Sequence, residues 1–168
     1  MMIKKHRNLM TVGLMAFIVI ACNQSVNKEQ KNTDMKEIEK IFPQGDKITN
    51  NNFTGAAWLN MVMDNDSIYN MQIGNVTFEP GARTNWHSHP GGQILIVTEG
   101  KGFHQEKGKP IEIIKKGDII KCPPNVIHWH GASASDTLVH IAISPNTDKG
   151  KVVWLEKVSD DEYRHLKK

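Results

Sequence analysis

The chain has 168 residues, a length that suits one domain with a hydrophobic core of its own. Of its 21 basic residues, Lys4, Lys5 and Arg7 fall in the first 21 positions, which hold no acid, so the remainder balances at 18 basic against 18 acidic. That balance leaves no basic field for nucleic acid, and two cysteines, Cys22 and Cys122, exclude a disulfide framework.

The three N-terminal cations precede an apolar run from Leu9 to Ala21. The run is too short for a bilayer span of about 20 residues and has the layout of a secretory signal. Ala21 directly before Cys22 resembles a bacterial lipobox. Residues 1–21 are therefore expected to be a lipoprotein signal, with Cys22 lipidated and the protein anchored in the bacterial cell envelope. Asn23 favours the periplasmic side of the outer membrane over the inner membrane. Residues 22–45 then read as the lipidated cysteine and a polar, solvated tether, helical at most near Met35–Ile41.

Residues 46–168 read as one all-β domain. From Phe53 onward, short apolar runs alternate with Gly, Pro, Asn and Asp, the pattern of a sandwich or barrel. The expected strands are 56–63, 71–79, 85–89, 93–99, 102–106, 112–114, 119–122, 127–130, 137–144 and 152–157. Turns are expected at Asp64-Asn65-Asp66, Glu79-Pro80-Gly81, Glu99-Gly100, Lys107–Pro110 and Lys116-Gly117-Asp118. A capping box, Ser159-Asp160-Asp161-Glu162, opens one short C-terminal helix with Tyr163 and Leu166 as its apolar face.

The candidate chemistry lies in histidine pairs. His87 and His89 are two apart in an expected strand, so their side chains share a face and can chelate one cation. Gln93 follows a Pro-Gly-Gly turn and can return a third donor to the same spot. His128 and His130 repeat the two-residue spacing downstream, and His140 sits within the apolar run Leu138–Ile141. His104 and His165 have no such company and are expected at the surface. Trp86 and Trp129 have the opposite parity from their histidine neighbours, which puts them outside the barrel or in a dimer interface. Arg83 reads as a structural ion-pair partner and Cys122 as a buried, inert thiol with no base beside it. Val76, Phe78, Leu95, Val97 and Ile143 are expected to supply an apolar cavity wall.

The stretch GARTNWHSHPGGQILIVTEG resembles the first cupin motif, with Gly81, His87, His89, Gln93 and Gly100 at its marked positions. GDIIKCPPNVIHWH resembles the second, with Gly117, Pro123 and His128; Asn125 stands where glycine is usual, which calls for a left-handed asparagine. From about Thr54 to Tyr163 the chain is similar to the small manganese-dependent cupin hydroxynitrile lyases, the carboxymuconolactone-decarboxylase-like cupin subgroup. The resemblance implies a double-stranded β-helix, or jelly-roll, barrel. It also implies a divalent cation, manganese first with iron, nickel or zinc as alternatives, held by His87, His89, Gln93 and His128. Ser144 departs from it, standing where those lyases carry a larger polar residue.

Three imidazoles and an amide oxygen suit a borderline divalent ion, and because all four are neutral they leave its charge undiminished. Such an ion is a strong Lewis acid and anion acceptor, which favours lyase or addition chemistry over redox cycling. His130 is the expected general base and His140 the group that orients it. The expected substrate is a small carbonyl or hydroxy compound, and the expected assembly a homodimer that covers open sheet edges. The competing expectations are a periplasmic metal- or ligand-binding lipoprotein without turnover, and an iron-dependent dioxygenase on the same barrel.

Overall fold

The computed structural model describes residues 40–164. The signal, Cys22, the greater part of the tether, His165 and Leu166 lie outside the described residues.

The described chain is all-β, and one antiparallel sheet curls over itself into a jelly roll. Its strands are β1 (Asp46–Lys47), β2 (Phe53–Thr54), β3 (Ala57–Asp66), β4 (Met71–Phe78), β5 (Arg83–Thr84), β6 (His87–Ser88), β7 (Gln93–Glu106), β8 (Glu112–Lys115), β9 (Ile119–Cys122), β10 (His128–Ala132), β11 (Leu138–Pro145) and β12 (Val153–Trp154). A single short helix, α1 (Asp160–Arg164), follows. One wall runs β1-β3-β4-β11-β7-β9 and the other β8-β7-β10-β5-β2, with β6 on the β5 edge of β10 and β12 on β6.

β7 belongs to both walls. Its first half pairs with β9 and β11, and its second half with β8 and β10. The sequence pattern splits this strand in two at Gly100. The structure keeps it whole because Gly100, at φ +74°, bends the chain without breaking the ladder. A Cβ at Gly100 would lie 1.9 Å from the Thr137 carbonyl oxygen, so no other residue type fits there.

Other boundaries also shift. The expected turn at Asp64-Asn65-Asp66 is strand, and the chain reverses after it. The Asp66 carboxylate accepts from the Ile68 and Tyr69 amides at 2.7 and 3.1 Å, and Asn70 takes φ +48°. Polar side chains on the solvent side of an edge-near strand imitate a turn. Residues 85–89 and 152–157 carry less ladder than expected, because Asn85 and Trp86 bond instead to Asn52, Glu156 and Leu155. β1 and β2, two residues each, are too short to leave a period in the sequence.

Two apolar cores result. Phe78, Leu95, Val97, Ile114, Ile120 and Leu138 fill the barrel. Trp86, Phe103, Trp129, Val158 and Tyr163 form a second core on the outer face of the β10 wall, so both tryptophans lie outside the barrel as their parity requires. The segment from Leu155 to Arg164 covers that outer core. Its capping box is formed: the Glu162 amide donates to Ser159 Oγ at 3.1 Å and the Ser159 amide to Glu162 Oε2 at 2.7 Å. The Tyr163 hydroxyl donates to the Ala132 carbonyl at 2.9 Å, and Arg83 pairs with Asp160 at 2.7 Å, the structural role expected of it.

Gly100→Val should destabilise the domain by more than about 2 kcal/mol, through a forbidden φ together with the Thr137 clash. Urea unfolding monitored by tryptophan emission reads that loss directly.

Candidate metal centre

β6 and β10 run antiparallel with His87 opposite His128, and their rings approach to a centroid distance of 4.3 Å. His89 leaves β6 into a turn that is tied at its own carbonyl, which accepts from the Gly92 amide at 3.0 Å and the Asn125 amide at 2.9 Å. Asn125 has φ +63°, the left-handed asparagine that replaces the usual glycine. Gln93 opens β7 and sets Oε1 3.1 Å from His128 Nε2. The turn, the β6–β10 register and the start of β7 therefore bring His87, His89, Gln93 and His128 together at one end of the barrel.

The protons at this cluster are fixed by the backbone. His87 Nδ1 donates to the Asn85 carbonyl and His128 Nδ1 to the Val126 carbonyl, both at 2.9 Å. A carbonyl only accepts, so in the neutral rings each Nε2 is left as a bare lone pair. His128 Nε2 and Gln93 Oε1 then face one another as two acceptors with no proton between them. His89 Nε2 is buried with no hydrogen-bond partner. Acceptors turned towards one another in a dry site are costly unless a cation joins them. The donor set, three imidazole nitrogens and an amide oxygen, fits a borderline divalent metal.

His130 lies on the same face of β10 as His128. The ligand atoms of His87, His128 and His130 fall within 4.8 Å of one another, so this triad, with His130 in place of His89, is the tightest donor group among the described residues. His130 Nδ1 is also 3.2 Å from His140 Nε2, across from β10 to β11. Phe78 packs against both rings, at 5.9 Å from His130 and 5.5 Å from His140.

Burial holds all of these histidines neutral. It lowers His89, His128 and His140 to about 4. His87 and His130 move in the same direction, through burial first and then through their neighbours His128 and His140 respectively. The cluster opens on a cavity of about 250 Å³ whose other walls include Phe53, Leu59, Val76 and Trp154. Of the expected apolar wall, Val76 lines it, while Phe78, Leu95 and Val97 lie in the barrel core. Ile143 has the opposite strand parity from the lining residues His140, Ala142 and Ser144, which corrects its expected place.

Three residues differ from their sequence reading or were missed by it. His104 is not at the surface: it is 2 % exposed, with Nε2 3.5 Å from Cys122 Sγ, Nδ1 3.5 Å from the Glu112 carboxylate and its ring 5.8 Å from that of His128. The β7–β10 register sets it opposite His130, and a one-residue slip of β7 against β11 between Val97 and Glu99 breaks the parity that would have revealed it. Cys122 thus has a base beside it after all, yet burial, with Glu106 and Glu112 adding to it, pushes its thiol up to about 12, and it stays inert. Trp154 carried no signal in the sequence. It sits opposite His87 in the β12–β6 ladder, its ring 4.8 Å from the imidazole.

The description "Cupin domain" matches residues 74–144. Over 90 residues the chain is 49 % identical to the (R)-mandelonitrile lyase of Granulicella tundricola, a match spanning 54 % of this chain and 69 % of that protein. A crystal structure of a cupin-like protein from Thermotoga maritima superposes with a TM-score of 0.74 at 53 % identity, covering 76 % of this chain and 97 % of that one. A cupin-2 domain protein of Rhodospirillum rubrum, at 13 % identity and TM-score 0.56 over 72 % of this chain and 80 % of its own, shares the fold alone. The chain belongs to the cupin family.

In the metal-free protein these histidines make stability fall with acid. Their folded pKa values lie below the ordinary 6.5, so the unfolded chain takes up protons first as pH drops. Stability should be full above about pH 6.5 and decline steadily towards pH 4. Thermal midpoints across that range check the sign, and His140→Phe should flatten the slope.

Proposed function

We propose that this cupin is a metal-dependent lyase acting on small hydroxy or carbonyl compounds, cleaving or forming a cyanohydrin-type bond. The observation that carries the reading is the His130–His140 pair, 3.2 Å apart and buried in the wall of an apolar cavity beside the donor cluster. The Granulicella tundricola relative, named an (R)-mandelonitrile lyase, supports it. His87, His89, Gln93 and His128 would hold the metal, with manganese the first choice among manganese, iron, nickel and zinc. Bound there, a divalent ion supplies a positive charge that acidifies a hydroxyl group and steadies a departing anion.

The chain's own residues handle the proton. With Nδ1 of His130 donating to Nε2 of His140, Nε2 of His130 is a lone pair and the base for the substrate hydroxyl. The carbon–carbon bond to the leaving anion breaks as the carbonyl forms, and the proton held on His130 returns to that anion. His140 fixes the tautomer and orientation of His130. Phe78, packed on both rings, and the apolar lining keep water from competing for that proton. Around this centre we also propose the Cys22 lipid anchor, a cell-envelope location and a homodimer, each resting on the sequence reading.

His130→Ala should lower benzaldehyde release from mandelonitrile at least 100-fold while metal stoichiometry, read by elemental analysis, stays at the wild-type value. Loss of metal together with activity would make His130 a ligand, as its place in the tight triad allows, and would remove it as the base. Elemental analysis of His89→Ala completes the distinction, since that variant should lose the metal.

A further inference from the structure

The histidine cavity adjoins a second one. Gln72, His89, Ser144 and Val152 line both the cavity described above and a neighbouring one of about 350 Å³. A ligand seated at His89 therefore touches both spaces. The two differ in character: the first has the apolar walls Phe53, Leu59, Val76 and Trp154, whereas the second adds Asn65, Thr147 and Lys151.

The frame of the second space is built closely. Gly91 and the chain at Pro145 are in backbone contact, since a Cβ on Gly91 would lie 2.1 Å from the Pro145 carbonyl oxygen. Asn146, left-handed at φ +52°, donates from Nδ2 to the Gly91 carbonyl at 3.1 Å. Past this junction the chain turns through Thr147–Lys149 and brings Lys151 into the lining of the second cavity.

Lys151 is the one ionised side chain lining either space, and no carboxylate lines either of them, among the described residues. The ion pairs of the described residues leave Lys151 out. An unpaired cation in the lining of a cavity whose other walls are neutral attracts an anion and repels a cation.

We infer that the substrate is a small hydroxy or oxo acid whose reacting carbon sits where the two spaces meet. Its hydroxyl or carbonyl oxygen faces the histidine cluster, its apolar substituent fills the first cavity, and its carboxylate arm runs through the second towards Lys151. The inference rests on the reading of this site as one for small hydroxy or carbonyl compounds, and it adds the charged arm that such a compound carries. Three different directions at one carbon also make the site select one enantiomer.

Isothermal titration calorimetry on the manganese-loaded full chain tests this with 4-hydroxy-4-phenylbutanoate and its primary amide, which match in shape and differ in charge. The wild-type protein should bind the acid on the order of tenfold more tightly than the amide, and added salt should shrink the difference. Lys151→Glu should weaken the acid on the order of tenfold and leave the amide within about twofold, and Lys151→Arg should restore the preference for the acid. Equal binding of acid and amide by the wild type, equal weakening of both in Lys151→Glu, or binding of neither would overturn the inference. Mandelonitrile cleavage by the wild-type protein separates the two readings. Cleavage without Lys151-dependent discrimination removes this inference alone, and discrimination without cleavage removes the lyase reading alone.

Discussion

The Nδ1 protons of His87 and His128 are committed to backbone carbonyls two residues back along the chain. Everything at the histidine end of the barrel depends on that commitment. It turns two buried Nε2 lone pairs inward and leaves Gln93 Oε1 facing an acceptor, while burial keeps the imidazoles neutral. A cluster of proton-poor acceptors is unstable without a positive charge, and that instability is the chemical content of the site. The rest of the fold supplies rigidity: β10 lies between β6 and β7, so neither His128 nor His130 can turn away without breaking a ladder.

Two groupings of histidines meet at this end of the barrel. His130 and His140 sit on different walls of the barrel and meet across its interior, whereas His87, His89 and His128 gather at the β6–β10 edge. Phe78 fills the space behind the His130–His140 pair and reaches no other histidine ring at comparable distance. β10 carries both His128 and His130, so the donor cluster and the His130–His140 pair are tied through one strand.

Much of this was legible in the chain, for reasons that show where legibility stops. Alternation along a strand is a local property, so the shared faces of His87 with His89 and of His128 with His130, and the outward tryptophans, follow from the sequence directly. The asparagine turn at Asn125 and the capping box at Ser159 are also local, and the structure has both. His104 was not readable. Its neighbours are set by a register between β7 and β10 and by a slip against β11 that resets parity midway along β7. Trp154 escaped for the same reason, since a two-residue strand has no period of its own. The extended β3 was misread because its polar residues have the composition of a turn while their backbone keeps the ladder. Pairing partners far apart in sequence decide such cases, and single-strand patterns do not encode them.

The place of β11 in the sheet has a consequence for how the protein is made. This strand lies between β4 and β7 and carries His140, yet it leaves the ribosome after both of them. Until it emerges, β4 and the first half of β7 each expose a full row of unpaired amides and carbonyls, and the half-built sheet is a template for any passing strand. Synthesis must therefore hold a sticky, open intermediate until a late insertion closes it.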